Sequence, residues 1–238
     1  MQNVWNIALR QFRSYFNGPV AYIVTIIILG AVNFLFWKYF FLQGRATIHE
    51  MFNYMGTAML FAAPALTMGL VAEEKSSGTI ELLLTMPVRE WEVVVGKFLG
   101  AFGLYLVILL FTLVDPIAVS WFGEIDPGPV ATGYLGLILE GAAMIAIGLV
   151  ASSTQSNQLV AFFISLFVLA IVGWLIPAAA AGLETGWVAS ALQGISFTHH
   201  LENMARGVID TRDVLFFVSL TIAGLTLSFQ AIEARRWN

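Results

Sequence analysis

The chain has 238 residues, 59% of them hydrophobic and 11% charged, with a formal net charge of -4 and no cysteine. Its mean hydropathy of +0.84 lies far from that of a soluble globular domain and points to an integral membrane protein. A disulfide framework, a thiolate metal site and a cysteine nucleophile are excluded, and at roughly 20 apolar residues per crossing the length admits about six helical spans with no sizeable soluble domain.

In chain order, residues 1–17 place Trp5, Leu9, Phe12 and Phe16 at helical spacing, with Asn6, Arg10, Arg13 and Ser14 mostly on other faces. That pattern predicts an elbow helix lying in the membrane interface. The apolar run behind it is longer than a signal-peptide core and lacks a small-residue cleavage site, so the segment is expected to be retained. Six apolar runs follow, near 19–42, 54–72, 98–121, 132–152, 158–181 and 214–232. An even number puts both termini on one side. With those termini inside, Arg10, Arg13, Lys75, Arg89, Lys97, Arg235 and Arg236 are cytoplasmic, against Lys38, Arg45, Arg206 and Arg212 outside. The positive-inside rule therefore predicts a cytoplasmic N- and C-terminus. Trp37, Tyr39, Trp121 and Trp237, near span ends, read as interfacial belts.

Between the second and third runs, residues 73–97 form the longest stretch exposed to a soluble partner on that side. Within SGTIELLLTMP, small turn-compatible residues precede Ile80, Leu83 and Leu84 at i, i+3 and i+4, and Pro87 stops the helix. About two turns with one greasy face are too short to stand alone in water. Two surfaces satisfy the pattern: a groove in a soluble protein, or the headgroup region itself. Glu73, Glu74 and Lys75, where the second span ends, either fix its depth or form ion pairs, with a partner protein or with Arg10 or Arg13. The STQSNQ link is a tight turn, with Ser and Asn suited to turns and caps.

The segment FAAPALTMGLVAEEKSSGTIELLLTMPVREWEVVVGKFLG resembles the corresponding region of ABC-2 type permeases, the membrane subunits of type V ABC transporters, and especially the gliding-motility-associated branch. LRQFRSYFNGPVAYIV, GYLGLILEGAAMIAIGLVASSTQSNQLVAFF and HLENMARGVIDTRDVLFFVSLT agree as well, so the resemblance runs nearly end to end. It implies a homodimer, or a dimer with a similar subunit, with an ATP-binding subunit beneath each protomer. The coupling helix would span Thr79 to Met86, and the ATPase-coupling residues would be Glu73, Glu74, Lys75, Gly78, Thr79, Ile80, Glu81, Leu83, Leu84 and Pro87. The serine-rich turn would help to seat the ATPase. The chain carries no G-x-x-x-x-G-K-[ST] phosphate loop, so it is expected to be non-catalytic, with ATP and Mg held by the partner.

Residues 182–213 form the long outer segment, in which Phe197, Leu201, Met204 and Val208 fall on one helical stripe. One or two short helices dipping into the outer leaflet are expected. His199, Glu202 and Arg206 share a face and His200 is adjacent. A metal site is disfavoured, because adjacent histidines diverge on a helix and the arginine opposes a cation; a salt-bridged cap is favoured, and the resemblance implies an extracytoplasmic gate. Asp115 and Glu140 lie within apolar runs, where a charge is costly and faces a partner, a cavity or an interface. Gly136, Glu140 and Gly141 are expected close together on one face, towards a neighbouring helix or a dimer seam.

The expectation is therefore an all-α integral membrane protein: one permease domain over 1–238, six transmembrane helices, an interfacial elbow helix, a cytoplasmic coupling helix and short extracytoplasmic helices before the last span. It would sit in a bacterial inner membrane and act as the transmembrane subunit of an ABC exporter of unassigned substrate. Lipids, ATPase subunits and an auxiliary envelope protein are the expected partners, and nucleic acid is not. A scaffold or force-transmitting anchor without a transported solute is the alternative.

Overall fold

The computed structural model describes residues 2–43, 47–78, 89–183 and 186–234. Every regular element among them is helical. Six helices are long and apolar enough to cross a membrane: Ala21–Leu42, His49–Ser76, Glu90–Val119, Pro127–Thr154, Gln158–Ala181 and Thr211–Glu233. All six expected runs are present. The second, third and fourth extend beyond their apolar cores because their polar ends continue or cap the helix. Asp126, for example, accepts from the Gly128 amide at 2.9 Å just ahead of a proline at the first helical position, an arrangement that satisfies one donor and presets the backbone.

In chain order the elements are α1 (Gln2–Asn17), α2 (Pro19–Gln43), α3 (His49–Thr67), α4 (Ala72–Ser76), α5 (Glu90–Thr112), α6 (Val114–Val119), α7 (Pro127–Thr154), α8 (Gln158–Ala170), a π turn (Ile171–Leu175), α9 (Ile176–Ala181), α10 (Trp187–Gln193), α11 (Phe197–Ala205) and α12 (Thr211–Glu233). Helix α7 is the axis of the bundle and packs against α3, α5, α8, α11 and α12. Small residues let the backbones approach. A Cβ at Gly133 would lie 2.2 Å from the Phe52 ring, and one at Gly141 would lie 2.0 Å from Tyr105. The Tyr105 hydroxyl, fully buried, donates to the Leu137 carbonyl at 2.8 Å.

This packing corrects one part of the expectation that Gly136, Glu140 and Gly141 share a face: Gly136 and Glu140, one turn apart, lie together on the Leu201 side, and Gly141 departs. Gly136 meets Leu201 and Met204 of α11, Glu140 meets Gly56 of α3, and Gly141 meets Tyr105 of α5. Neighbouring positions on a helix point about 100° apart, so residues 140 and 141 serve different partners.

Helix α1 lies along the start of α5, where Gly96 and Gly100 admit Ile7 and Gln11. Its expected stripe divides: Phe12 turns towards Gly103, whereas Trp5 and Phe16 stay exposed. The side chain of Asn3 donates to Glu92, which also accepts from the Arg89 amide at 3.0 Å, so one carboxylate caps α5 and holds α1. Trp37 is not simply an interfacial belt residue. Its indole N–H donates to Asp115 Oδ1 at 3.2 Å, joining α2 to the break between α5 and α6.

On the outer segment, Phe197, Leu201 and Met204 are buried as expected. Val208 is not part of that stripe: α11 stops at Ala205, Gly207 turns the chain at φ 93°, and Val208 is exposed.

Candidate functional site

Two polar regions stand out in this apolar bundle. The first is the junction where the second span ends. Helix α4 continues α3 after a short break at residues 68–71, and Ser152 of α7 fills that break. Its hydroxyl accepts from the Val71 amide at 3.0 Å and the Ala72 amide at 3.2 Å, and donates to the Met68 carbonyl at 3.0 Å. The first-turn donors of α4, orphaned in a helix this short, are thereby satisfied. Lys75, buried, donates to the Ser153 carbonyl. Lys97 of α5, 2% exposed, pairs with Glu74 at 2.8 Å and donates to the Leu70 carbonyl.

Of the expected coupling residues, then, Glu74 and Lys75 are drawn into the junction. Gly78 follows α4 at φ 71°, a turn that favours glycine. Thr79, Ile80, Glu81, Leu83, Leu84 and Pro87 lie outside the described residues. The expected pairing of residues 73–75 with Arg10 or Arg13 is not the arrangement found for Glu74, whose partner is Lys97. Both arginines are exposed on α1. Glu73 instead borders a 160 Å³ cavity under α1 with Gln11, Ser14, Tyr15, Leu66 and Gln158. There the Tyr15 hydroxyl donates to the Leu66 carbonyl at 2.5 Å, and burial pushes its pKa above the ordinary phenol value.

The sequence reads Ser152 and Ser153 as part of a turn that the resemblance places against the ATPase, and Lys97 as a topology signal; their contacts with the end of the second span are not visible in it. A serine pair at the end of the fourth span and a lysine two turns into the third were the available signals. Neither type pattern names its partner, because the contacts cross 23 to 84 residues of chain.

The second region lies at membrane depth. Glu140 sits halfway along the 28 residues of α7 and is 3% exposed. No ion pair among the described residues involves it, and its Oε2 has no hydrogen-bond partner. The oxygen points towards α3, where a Cβ at Gly56 would lie 2.8 Å away. A cavity of about 40 Å³ opens there, bordered by Asn53, Thr57, Glu140, Gly173 and Thr198. Asp115, the other intramembrane carboxyl, is buried with Oδ1 held by Trp37 and Oδ2 unpartnered.

The outer cluster divides. Arg206 and Glu202 pair one turn apart on the exposed face of α11. His199 stands outside that pair, and His200 turns inward. Its Nδ1 meets Asp213 Oδ1 at 2.5 Å, its Nε2 lies 3.1 Å from the Gly194 carbonyl, and its ring stacks on Phe216 at 4.1 Å. Asp213, the first-turn acid of α12, was missed by sequence reasoning. Its contact ties the outer segment to the last span. Among the described residues no group of three or more metal-ligating side chains occurs.

Residues 40–229 match the family described as ABC-2 family transporter protein. Over 94 residues the chain is 31% identical to the probable multidrug ABC transporter permease YbhR of Escherichia coli strain K12, a stretch covering 39% of this chain and 24% of that protein. The corresponding Escherichia coli O157:H7 protein matches over the same extent. The matched stretch thus spans about a quarter of the length of these curated relatives.

Proposed function

The chain belongs to the ABC-2 family of transporter proteins, and from that premise we propose that it is the exporting permease subunit of a type V ABC transporter, driven by a separate ATPase docked on residues 79–88. The observation that carries this reading is the junction at both ends of that segment. On one side Gly78 leaves α4, and on the other Arg89 opens α5. Between these two elements buried Lys97 pairs with half-buried Glu74, while Ser152 and Ser153 tie α4 to α7. A push on the segment is therefore delivered to α3, α5 and α7 together, through rigid contacts and not through a compliant loop.

In this reading the junction end faces the cytoplasm of a bacterial cell, where both termini lie, and the complex is a dimer of such permeases in the inner membrane. The sequence motifs favour the gliding-motility-associated branch, and the relatives' name, a probable multidrug permease, offers drug-like molecules as a second class of cargo. The outer helices α10 and α11, fastened to α12 through His200 and Asp213, would serve as the extracytoplasmic gate.

The test is affinity purification from native membrane of wild type beside a Leu83→Asp, Leu84→Asp double variant, with bound proteins identified and ATP hydrolysis assayed. An ATPase that copurifies with wild type and is lost from the variant is the expected result. Absence of an ATPase from both samples overturns the permease reading in favour of a scaffold.

A further inference from the structure

The polar side chains around the 40 Å³ cavity share one property: each offers an oxygen lone pair. Glu140 Oε2 and Asn53 Oδ1 are both buried acceptors without a partner. The Thr57 hydroxyl spends its proton on the Asn53 carbonyl at 2.8 Å, and Thr198 spends its own on the Gly173 carbonyl at 3.1 Å. The cavity they border therefore gathers oxygen acceptors that can receive hydrogen bonds or coordinate a cation, and the amide nitrogen of Asn53 is its one side-chain donor besides the hydroxyls. Burying such oxygens unsatisfied is costly, and a lone carboxylate halfway through a bilayer more so.

From this geometry we propose that the pocket between α3, α7, α11 and the π turn is a binding site for one small monovalent cation, with Glu140 as its counter-ion and Asn53, Thr57 and Thr198 as neutral oxygen ligands. The charge count selects the class. A single carboxylate neutralises one positive charge, whereas a divalent ion would retain a net charge at membrane depth, and hard divalent ions take six or more oxygens. Size agrees, since a void of about 40 Å³ exceeds the 10–15 Å³ that one water requires and falls well short of a drug-sized pocket. Thr57 and Thr198 are exposed, so the site has an entrance on its α3 and α11 side.

The backbone contributes as well. The π turn at Ile171–Leu175 interrupts an otherwise regular span, and π turns are rare insertions that cluster at functional sites. Here the turn carries Gly173, pressed so closely on Leu60 that a Cβ would lie 2.4 Å away, with its carbonyl held by Thr198. The interruption places the backbone of the fifth span at the rim of the pocket.

Two sources supply the same chemistry: an alkali ion from solution, or the ammonium end of an organic ligand. The full chain in lipid nanodiscs distinguishes them by thermal unfolding in equimolar sodium, potassium, methylammonium and tetraethylammonium chloride, for wild type, Glu140→Gln and Asn53→Ala. Small cations should raise the wild-type midpoint saturably, by about 3–5 °C near saturation. Tetraethylammonium should not. The shift should vanish in Glu140→Gln and shrink in Asn53→Ala. A shift with sodium or potassium assigns the site to alkali ions, and one with methylammonium alone assigns it to amines.

Labelling of wild-type Glu140 by a hydrophobic carbodiimide, read by mass spectrometry, provides a second measurement that needs no variant; small cations should slow it and tetraethylammonium should not. Identical midpoints in all four salts, a shift that survives Glu140→Gln, or labelling indifferent to small cations overturns the proposal and leaves Glu140 a neutral, protonated structural residue. Neither readout uses ATP, cargo or the ATPase, so failure here leaves the permease reading untouched.

Discussion

The junction around Glu74 and Lys97 and the pocket around Glu140 are both polar islands in an apolar bundle, but they are finished to different degrees. At the junction Lys97 has a carboxylate and a carbonyl, Lys75 has a carbonyl, and Ser152 makes three hydrogen bonds. One buried oxygen is left over there, the Ser153 hydroxyl, and no charge is; around Glu140 two are left over, one of them a carboxyl oxygen. A network whose charges are all paired holds them in one geometry, because moving either partner exposes a desolvated charge. An incomplete one is stable only with a proton or a ligand added. Under the two proposals above, the first is the place that passes on force and the second the place that receives a ligand.

The largest expected effect comes from breaking the closed network. Lys97→Met strands Glu74 and the Leu70 carbonyl and should destabilise the chain by about 3 kcal/mol, measured as a lower unfolding midpoint in nanodiscs. Adding Glu74→Gln should recover part of that loss. A single variant as stable as wild type would show that the junction is not the fastening described. Next is Ser152→Ala, which removes an acceptor from two buried amides; it should cost about 1–3 kcal/mol and speed hydrogen exchange at Val71 and Ala72 specifically. Exchange unchanged at those amides would detach α4 from α7.

A Gly100→Leu change tests how α1 is held, since a Cβ there already meets Gln11 at 2.6 Å. Overpacking of about 1–3 kcal/mol should show as protease sensitivity in residues 2–17 while the spans stay intact. Smallest should be Glu202→Gln, which removes an exposed pair one turn apart and should change stability by less than about 1 kcal/mol. If that variant alters cargo movement at unchanged stability, the outer pair acts in gating; if transport is unaffected, it is a surface pair only.

The spans were legible in the sequence because hydrocarbon depth imposes a length and composition that no other environment does. Glu140 was legible for the same reason: a carboxylate among apolar residues is visible at once. Lys97 and Ser152 were not, because each lies at the polar end of a span, where lysine and serine are unremarkable and their importance comes from partners distant in sequence. His200 and His199 could not be ranked from composition. Only the turn at Ser196, whose hydroxyl accepts from the His199 amide at 3.3 Å, fixes the phase of α11 and sends one ring inward to Asp213. The stripe ending at Val208 failed because periodicity does not contain the stop at Ala205, three residues earlier, or the turn at Gly207 that follows it.

The length of α7 has one more implication. Its 28 residues span about 42 Å at 1.5 Å each, against a hydrocarbon layer of about 30 Å. A helix with that surplus can lean, or slide its ends into the headgroups, as the bilayer thickens or thins. Such adjustments rescue a charge near either end, which swings towards water as the helix tilts. They do nothing for a residue at the midpoint, which is the fulcrum of every tilt. Glu140 is in that position, so changes in lipid composition cannot relieve its isolation, and only a bound partner, a proton or a rearrangement of the helices around it can do so.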